Sequence, residues 1–206
     1  MSRLIQYINE SKGEVIDATP EYQAKFIKRD CQYYLNLTKS TGPFNRAINE
    51  NISQDEILKK KTREDRRSKG MNQEAHKEFN EWLEKNGHVR RDKSVSALSD
   101  SVPGVIFGTN YYFFPIGKFN YTWVKTRDIN GIDPKNKWDG IEVQKFFDFT
   151  DYENEKEERK KRKAFPKFFT TNNGIEKAFK KKFEIWFDCK EYYLVNKKNN
   201  VFGKKG

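Results

Sequence analysis

Cysteine and histidine are scarce in this chain, with two of each among 206 residues. Cys31 and Cys189 are too few for a disulfide framework or a Cys-rich zinc site, and neither stands in a CxxC pair. Both read as reduced, semi-buried packing residues. His76 and His88 lack the neighbouring Cys or Asp of a metal site, so no metal is expected. His76 reads as a helix-surface or hydrogen-bonded residue before it reads as a general base. Long apolar runs are missing too. Nothing approaches the roughly 18 consecutive apolar residues of a membrane span, and the opening MSRLIQYINESKGE has no apolar signal core. A soluble, intracellular protein with no membrane partner is expected. The chain also lacks GxxxxGK[ST], GxGxxG after a strand, HExxH and GxSxG, which excludes the common phosphate-loop, dinucleotide, zincin and serine-hydrolase signatures.

Apolar residues make up only 35% and charged residues 34%, a balance that by itself leans toward disorder. The aromatics reverse that lean. Seventeen Phe, ten Tyr and four Trp form 15% of the chain, and each buried ring removes roughly 150 to 250 Å² from water. A core of few but large side chains is therefore expected. The net charge is +11, and it is uneven. Residues 156–182 hold eleven basic and three acidic side chains, densest in RKKRK: Arg159, Lys160, Lys161, Arg162 and Lys163. Such a cluster suits a polyanion, because neutralising phosphates releases condensed counterions; a solvated surface segment is the plainer reading.

Residues 1–18 show no sustained period and read as a lead-in, followed by a single domain over 19–206 with a basic insertion at about 153–173. Thr19-Pro20-Glu21 signals a helix start, and Tyr22, Phe26, Ile27, Tyr33, Tyr34 and Leu37 roughly follow helical spacing up to Gly42-Pro43. Residues 54–86 read as a polar helix broken at Lys69-Gly70, with Phe79, Trp82 and Leu83 as one apolar stripe closed by Asn86-Gly87. Strand-like runs follow at 95–98, 105–107, 111–116 and 119–124, with Pro-Ile-Gly at 115–117 as a turn or bulge. In FNYTWV the alternation predicts a strand buried on one face. A loop at 128–140, a short helix at 174–182 and a final strand pair at 184–187 and 192–195 complete the reading. Helices first and strands later predict an α+β class: N-terminal helices, then a mixed, mainly antiparallel β core.

Five fragments stand in a particular order: NRAI at 45–48, TREDRRSKGMNQEAH at 62–76, SVSALS at 94–99, GTNYYFFPIGKFNYTWV at 108–124 and FEIWFDCKEYYLV at 183–195. Over roughly residues 19–196 this order resembles a family of small bacteriophage proteins related to the mono-ADP-ribosyltransferases of the Arg-Ser-Glu class. The resemblance implies the ADP-ribosyltransferase fold and an NAD-dependent transferase that modifies a host protein or nucleic acid, with NAD as substrate and no metal. It also implies a location in the host cytoplasm or packaging in the virion.

The same resemblance assigns roles. Arg46 falls where the family binds NAD through an arginine, whose planar fork suits phosphate oxygens. Glu184 falls at the catalytic glutamate, a fixed anion beside the ribose as nicotinamide leaves. Ser96 and Ser99 fall near the Ser strand. Phe107, or one of Tyr111 and Phe113, is placed to stack on nicotinamide. Lys182, with Arg159 to Lys163, would hold the target. Three positions depart from the pattern: Ala47 replaces the glycine after the arginine, Ala97 takes the place of the first strand hydroxyl, and Lys182 stands where many relatives carry Glu or Gln. A lysine cannot activate an arginine acceptor but can meet a phosphate. These departures keep two rivals open. One is a catalytically inactive, transferase-like binding protein, a virion component or host-factor inhibitor acting through its basic face. The other is an unrelated basic domain stacking single-stranded bases on surface rings. Arg46, Glu184 and the serines also admit plain surface or turn roles.

Overall fold

The computed structural model describes residues 13–66, 73–100, 108–125 and 165–199. The class is α+β, with antiparallel pairing in every described strand pair. The chain divides into two units. The first comprises Met1–Arg63, Asp100–Phe119 and Cys189–Gly206; the second comprises Glu64–Ser99 and Asn120–Asp188.

The first unit carries strands β1 (Glu14–Asp17), β2 (Phe44–Ile48), β3 (Glu56–Lys61), β5 (Thr109–Pro115) and β9 (Glu191–Asn196), with helices α1 (Pro20–Asp30) and α2 (Gln32–Leu37). Its sheet order is β1-β3-β9-β5-β2. The end of the expected lead-in is thus a strand, pairing Glu14 with Lys59 and Asp17 with Glu56. The helix expected from residue 19 to 37 is interrupted at Cys31, whose backbone (φ −114°, ψ 24°) leaves the helical region. Residues 56–61, expected to be helical, form β3 instead. Three consecutive lysines read as a solvated helix face, yet Ile57, Leu58 and Lys60 are buried, and Lys60 is neutralised by an ion pair with Glu50. Between β1 and β9 the segment exchanges ladder hydrogen bonds that a lone polar helix could not match.

Aromatic packing supplies this unit's core. Tyr34 meets Phe113 and Phe114 edge-on at 6.4 and 5.9 Å, and its hydroxyl accepts the Phe44 N–H at 2.7 Å, so its polar tip is satisfied where it is buried. Cys31 and Cys189 form no disulfide and are fully rather than half buried; burial pushes the Cys31 thiol well above its ordinary value. Gly108 enters β5 at φ +88°, and a Cβ there would lie 2.1 Å from the Ile48 carbonyl oxygen. Gly108→Ala is expected to destabilise the protein by about 2 kcal/mol or more, read as a lower urea midpoint, because both the left-handed backbone and the backbone clash must be relieved.

The second unit carries β4 (Val95–Ala97), β6 (Asn120–Val124), β7 (Phe169–Thr171) and β8 (Ile185–Asp188), with helices α3 (Gln73–Lys85) and α4 (Ile175–Lys181) and a 3₁₀ turn, Phe165–Phe168. The order is β4-β8-β6-β7. The Phe79, Trp82, Leu83 stripe lies on α3 as expected, and Gly87 ends it at φ +72°. The expected final strand pair does not form: β8 and β9 belong to different sheets. β6 is buried from Tyr121 through Val124, hence on both faces rather than one. Thr122 tolerates this because its hydroxyl accepts the Val89 N–H at 2.9 Å and bonds Thr171 at 2.7 Å.

Candidate functional site

Along α3, His76, Asn80 and Leu83 follow one another at helical spacing on a buried face. Asn80 ties the helix to the chain that follows it. Its amide donates to the His76 carbonyl at 2.7 Å, and its Oδ1 accepts the N–H groups of Arg91 and Asp92 at 2.7 and 3.0 Å. Arg66 adds a second tie: its N–H donates to the Asp92 carbonyl at 3.0 Å, and its guanidinium donates to Ser96 Oγ at 2.6 Å. Arg90 holds Asp92 bidentately at 3.0 and 2.7 Å and reaches Glu84 at 2.9 Å. The segment carrying Arg91 is therefore fixed from three directions.

Arg91 and Glu184 form a buried ion pair. They are 5% and 6% exposed, and Arg91 Nε lies 3.7 Å from Glu184 Oε1. The same oxygen accepts the indole N–H of Trp186 at 2.7 Å, while the Glu184 carbonyl accepts the Val124 N–H at 3.0 Å. The Arg91 guanidinium also lies 6.0 Å from the centre of the Trp186 ring. Glu184 immediately precedes β8, and in the β4–β8 ladder Ser96 stands opposite Trp186. The unit thus assembles a carboxylate with a set orientation, an indole donor, a buried guanidinium and a serine hydroxyl bound to a second arginine. Such an array holds one anionic oxygen at a fixed place in a low-dielectric setting, where charge interactions are strong.

His76 is buried on the same helix. Burial, then the positive charge of Arg91, lowers its pKa to about 4, with smaller contributions from Arg66 and Arg90 opposed by Asp92. Burial lowers His88 as well. A histidine whose folded pKa is depressed binds its proton more readily in the unfolded chain. Stability is therefore full above about pH 6.5 and falls as pH drops toward about 4, by roughly 3 kcal/mol for His76. In urea titrations, His76→Leu is expected to remove most of this slope and to leave the part due to His88.

The residues singled out from the sequence are distributed as follows. Glu184 and Ser96 are brought together through Trp186, whereas Ser99 follows β4 and is half-buried. Lys182 is exposed and adopts φ 57° at the C-terminal end of α4. Arg46 lies in the first unit, half-buried on β2 opposite Tyr111. Tyr111 and Phe113 are core residues there, and the Tyr111 hydroxyl is committed to the Ile52 N–H and the Glu50 carbonyl, which removes both from a stacking role. Phe107 and the run Arg159, Lys160, Lys161, Arg162, Lys163 lie outside the described residues, as does the loop at 128–140.

Arg91, Asn80 and Arg66 are absent from the sequence-based set. Arg66 lies within the TREDRRSKGMNQEAH fragment, and the other two carry a local signal alone: an Asn one turn after a buried His, and Arg90-Arg91-Asp92 directly before the serine strand. A groove of about 360 Å³ also opens in this unit, lined by His88, Arg90, Lys93, Asn120 and Asp188 among others, but neither Glu184 nor Ser96 lines it. Among the described residues no group of His, Cys, Asp and Glu is arranged to hold a metal ion, and no helix is long and apolar enough to cross a membrane. Comparison with protein-family models, curated proteins and solved structures finds no match.

Proposed function

We propose that this chain is an NAD-dependent mono-ADP-ribosyltransferase of ADP-ribosyltransferase-like fold, similar to the bacteriophage family whose fragment order it shares, and that it modifies a host protein or nucleic acid. The observation that carries the reading is the Glu184 carboxylate, oriented by the Trp186 indole and charge-balanced by Arg91, directly before the strand paired with the Ser96 strand. In the proposed reaction the bond between the ribose C1′ and the nicotinamide nitrogen breaks, and nicotinamide leaves with the bonding electron pair. Glu184 stabilises the positive charge left on the ribose, an acceptor nucleophile bonds to C1′, and the acceptor's proton passes to solvent. A pre-set anion is worth most here because it need not reorganise as the charge develops. Ser96 and Ser99 would brace the site, and the basic residues Arg159 to Lys163 with Lys182 would engage the target.

One observation favours a second reading, a transferase-like binding protein without catalysis: Glu184 is only 6% exposed and already engaged by two partners. Release of nicotinamide from NAD by the purified protein separates the two. The transferase reading expects release above the uncatalysed rate and a rise in melting temperature with NAD. Absence of both, with salt-sensitive retention on a polyanion column, supports the binding protein instead.

A further inference from the structure

Helix α1 presents an unusual outer face. Tyr22, Phe26 and Arg29 recur at i, i+4 and i+7 and so share one side of α1, and Tyr33 follows on α2, just beyond the break at Cys31. Tyr22 is 57% and Tyr33 37% exposed, two of the three large apolar side chains so exposed among the described residues. Each of the first two rings carries a cation from the next turn: Lys25 Nζ lies 4.7 Å from the centre of the Tyr22 ring, and the Arg29 guanidinium 5.2 Å from that of Phe26. Tyr33 rests edge-on against Phe119 at 5.0 Å, which fixes its ring, and the exposed Lys118 directly precedes Phe119 in the chain. Gly117 donates to the Asp30 carbonyl at 2.8 Å, seating this segment on the end of α1. Arg29 is held by Asp30 at 2.6 and 2.7 Å, but Lys25 and Lys28 have no acidic partner among the described residues. The acid on this face, Glu21, lies in the first helical turn, where its own backbone N–H and Thr19 stabilise its charged form.

We infer that this face is a binding platform for single-stranded nucleic acid, distinct from the Glu184 site and independent of any NAD chemistry. Unpaired bases stack on Tyr22, Phe26 and Tyr33, and Lys25, Lys28 and Lys118 meet the phosphates. As a base takes the ring face, Lys25 exchanges a weak contact with that ring for a charge-assisted one with phosphate. A duplex hides the base faces that these rings require, and an acidic peptide would use the lysines without the rings. The test is anisotropy of a labelled oligo-dT of about 20 nucleotides with the full chain, in salt series. Tyr22→Ala with Tyr33→Ala is expected to weaken binding at least ~5-fold per ring, and Tyr22→Phe with Tyr33→Phe to leave it unchanged. Lys25→Gln with Lys28→Gln is expected to lower the salt slope by about 1 to 1.5. All these side chains are exposed, so the fold is retained, which a thermal melt of each variant checks. No binding of oligo-dT overturns the proposal. So does binding indifferent to Tyr22→Ala and Tyr33→Ala, which would place the contact elsewhere on the chain. Competition by poly-glutamate as effective as by oligo-dT also overturns it, and assigns the face to an acidic protein.

Discussion

Arg91→Met is expected to lower stability by about 3 to 5 kcal/mol, read as a large drop in the urea midpoint followed by tryptophan fluorescence. The methionine fills similar space, so the loss is electrostatic. Glu184 is left buried with the Arg91 guanidinium gone, and its remaining contacts, the Trp186 indole N–H among them, do not replace that positive charge. Glu184→Gln in the same background removes that charge while keeping an acceptor for the Trp186 indole, so the double variant is expected to recover roughly 1 to 3 kcal/mol relative to Arg91→Met. Simple additivity of the two changes would mean that the pair is not energetically coupled. The signal is favourable because Trp186, fully buried, donates to the carboxylate being changed.

The second large effect concerns catalysis. On the proposed transferase reading, Glu184→Gln is expected to reduce the rate of nicotinamide release by roughly 10² to 10³, with little change in KM, because the carboxylate would act on charge that exists in the transition state rather than in bound NAD. Glu184→Gln also leaves Arg91 without its anion, so its rate must be compared where a melt shows it folded. Trp186→Phe provides a control that keeps the carboxylate. It removes the indole N–H that orients Glu184, together with part of a buried ring packed against Phe79 and Phe169, so the rate is compared in folded protein, where a fall of about tenfold in kcat is expected. A merely structural Glu184 would make the two variants alike, each changing melting temperature without a rate to lose.

Much of the local order was legible in the sequence, and its limits have physical causes. The α3 stripe and the runs around Tyr111 and Tyr121 announce themselves because apolar periodicity reports which side of an element is buried. β3 was not legible: EILKKK carries its apolar residues adjacent rather than alternating, and burial of Lys60 depends on Glu50, ten residues upstream. The assignment of β8 and β9 to separate sheets is likewise a matter of partners, Trp123 against Ile185 in one case and Phe113 against Leu194 in the other, which neither strand's own pattern encodes. The same holds for the site. Glu184 could be singled out by its neighbours in sequence, but Arg91, which balances it, is 93 residues away, and Asn80, which holds Arg91, belongs to a helix whose polar residues look solvated. Tyr22 and Tyr33 fit a helical pattern in the sequence and prove to be on its outside, which turns apparent core residues into surface rings.

The proposed transferase activity is tested most directly by incubating the full chain with NAD labelled in its adenylate part, together with bacterial protein and nucleic acid, and following transfer of the label. The account predicts covalent label on a macromolecule with the native chain and a loss of at least about a hundredfold with folded Glu184→Gln. Equal labelling by both proteins, or none by the native chain, would contradict it.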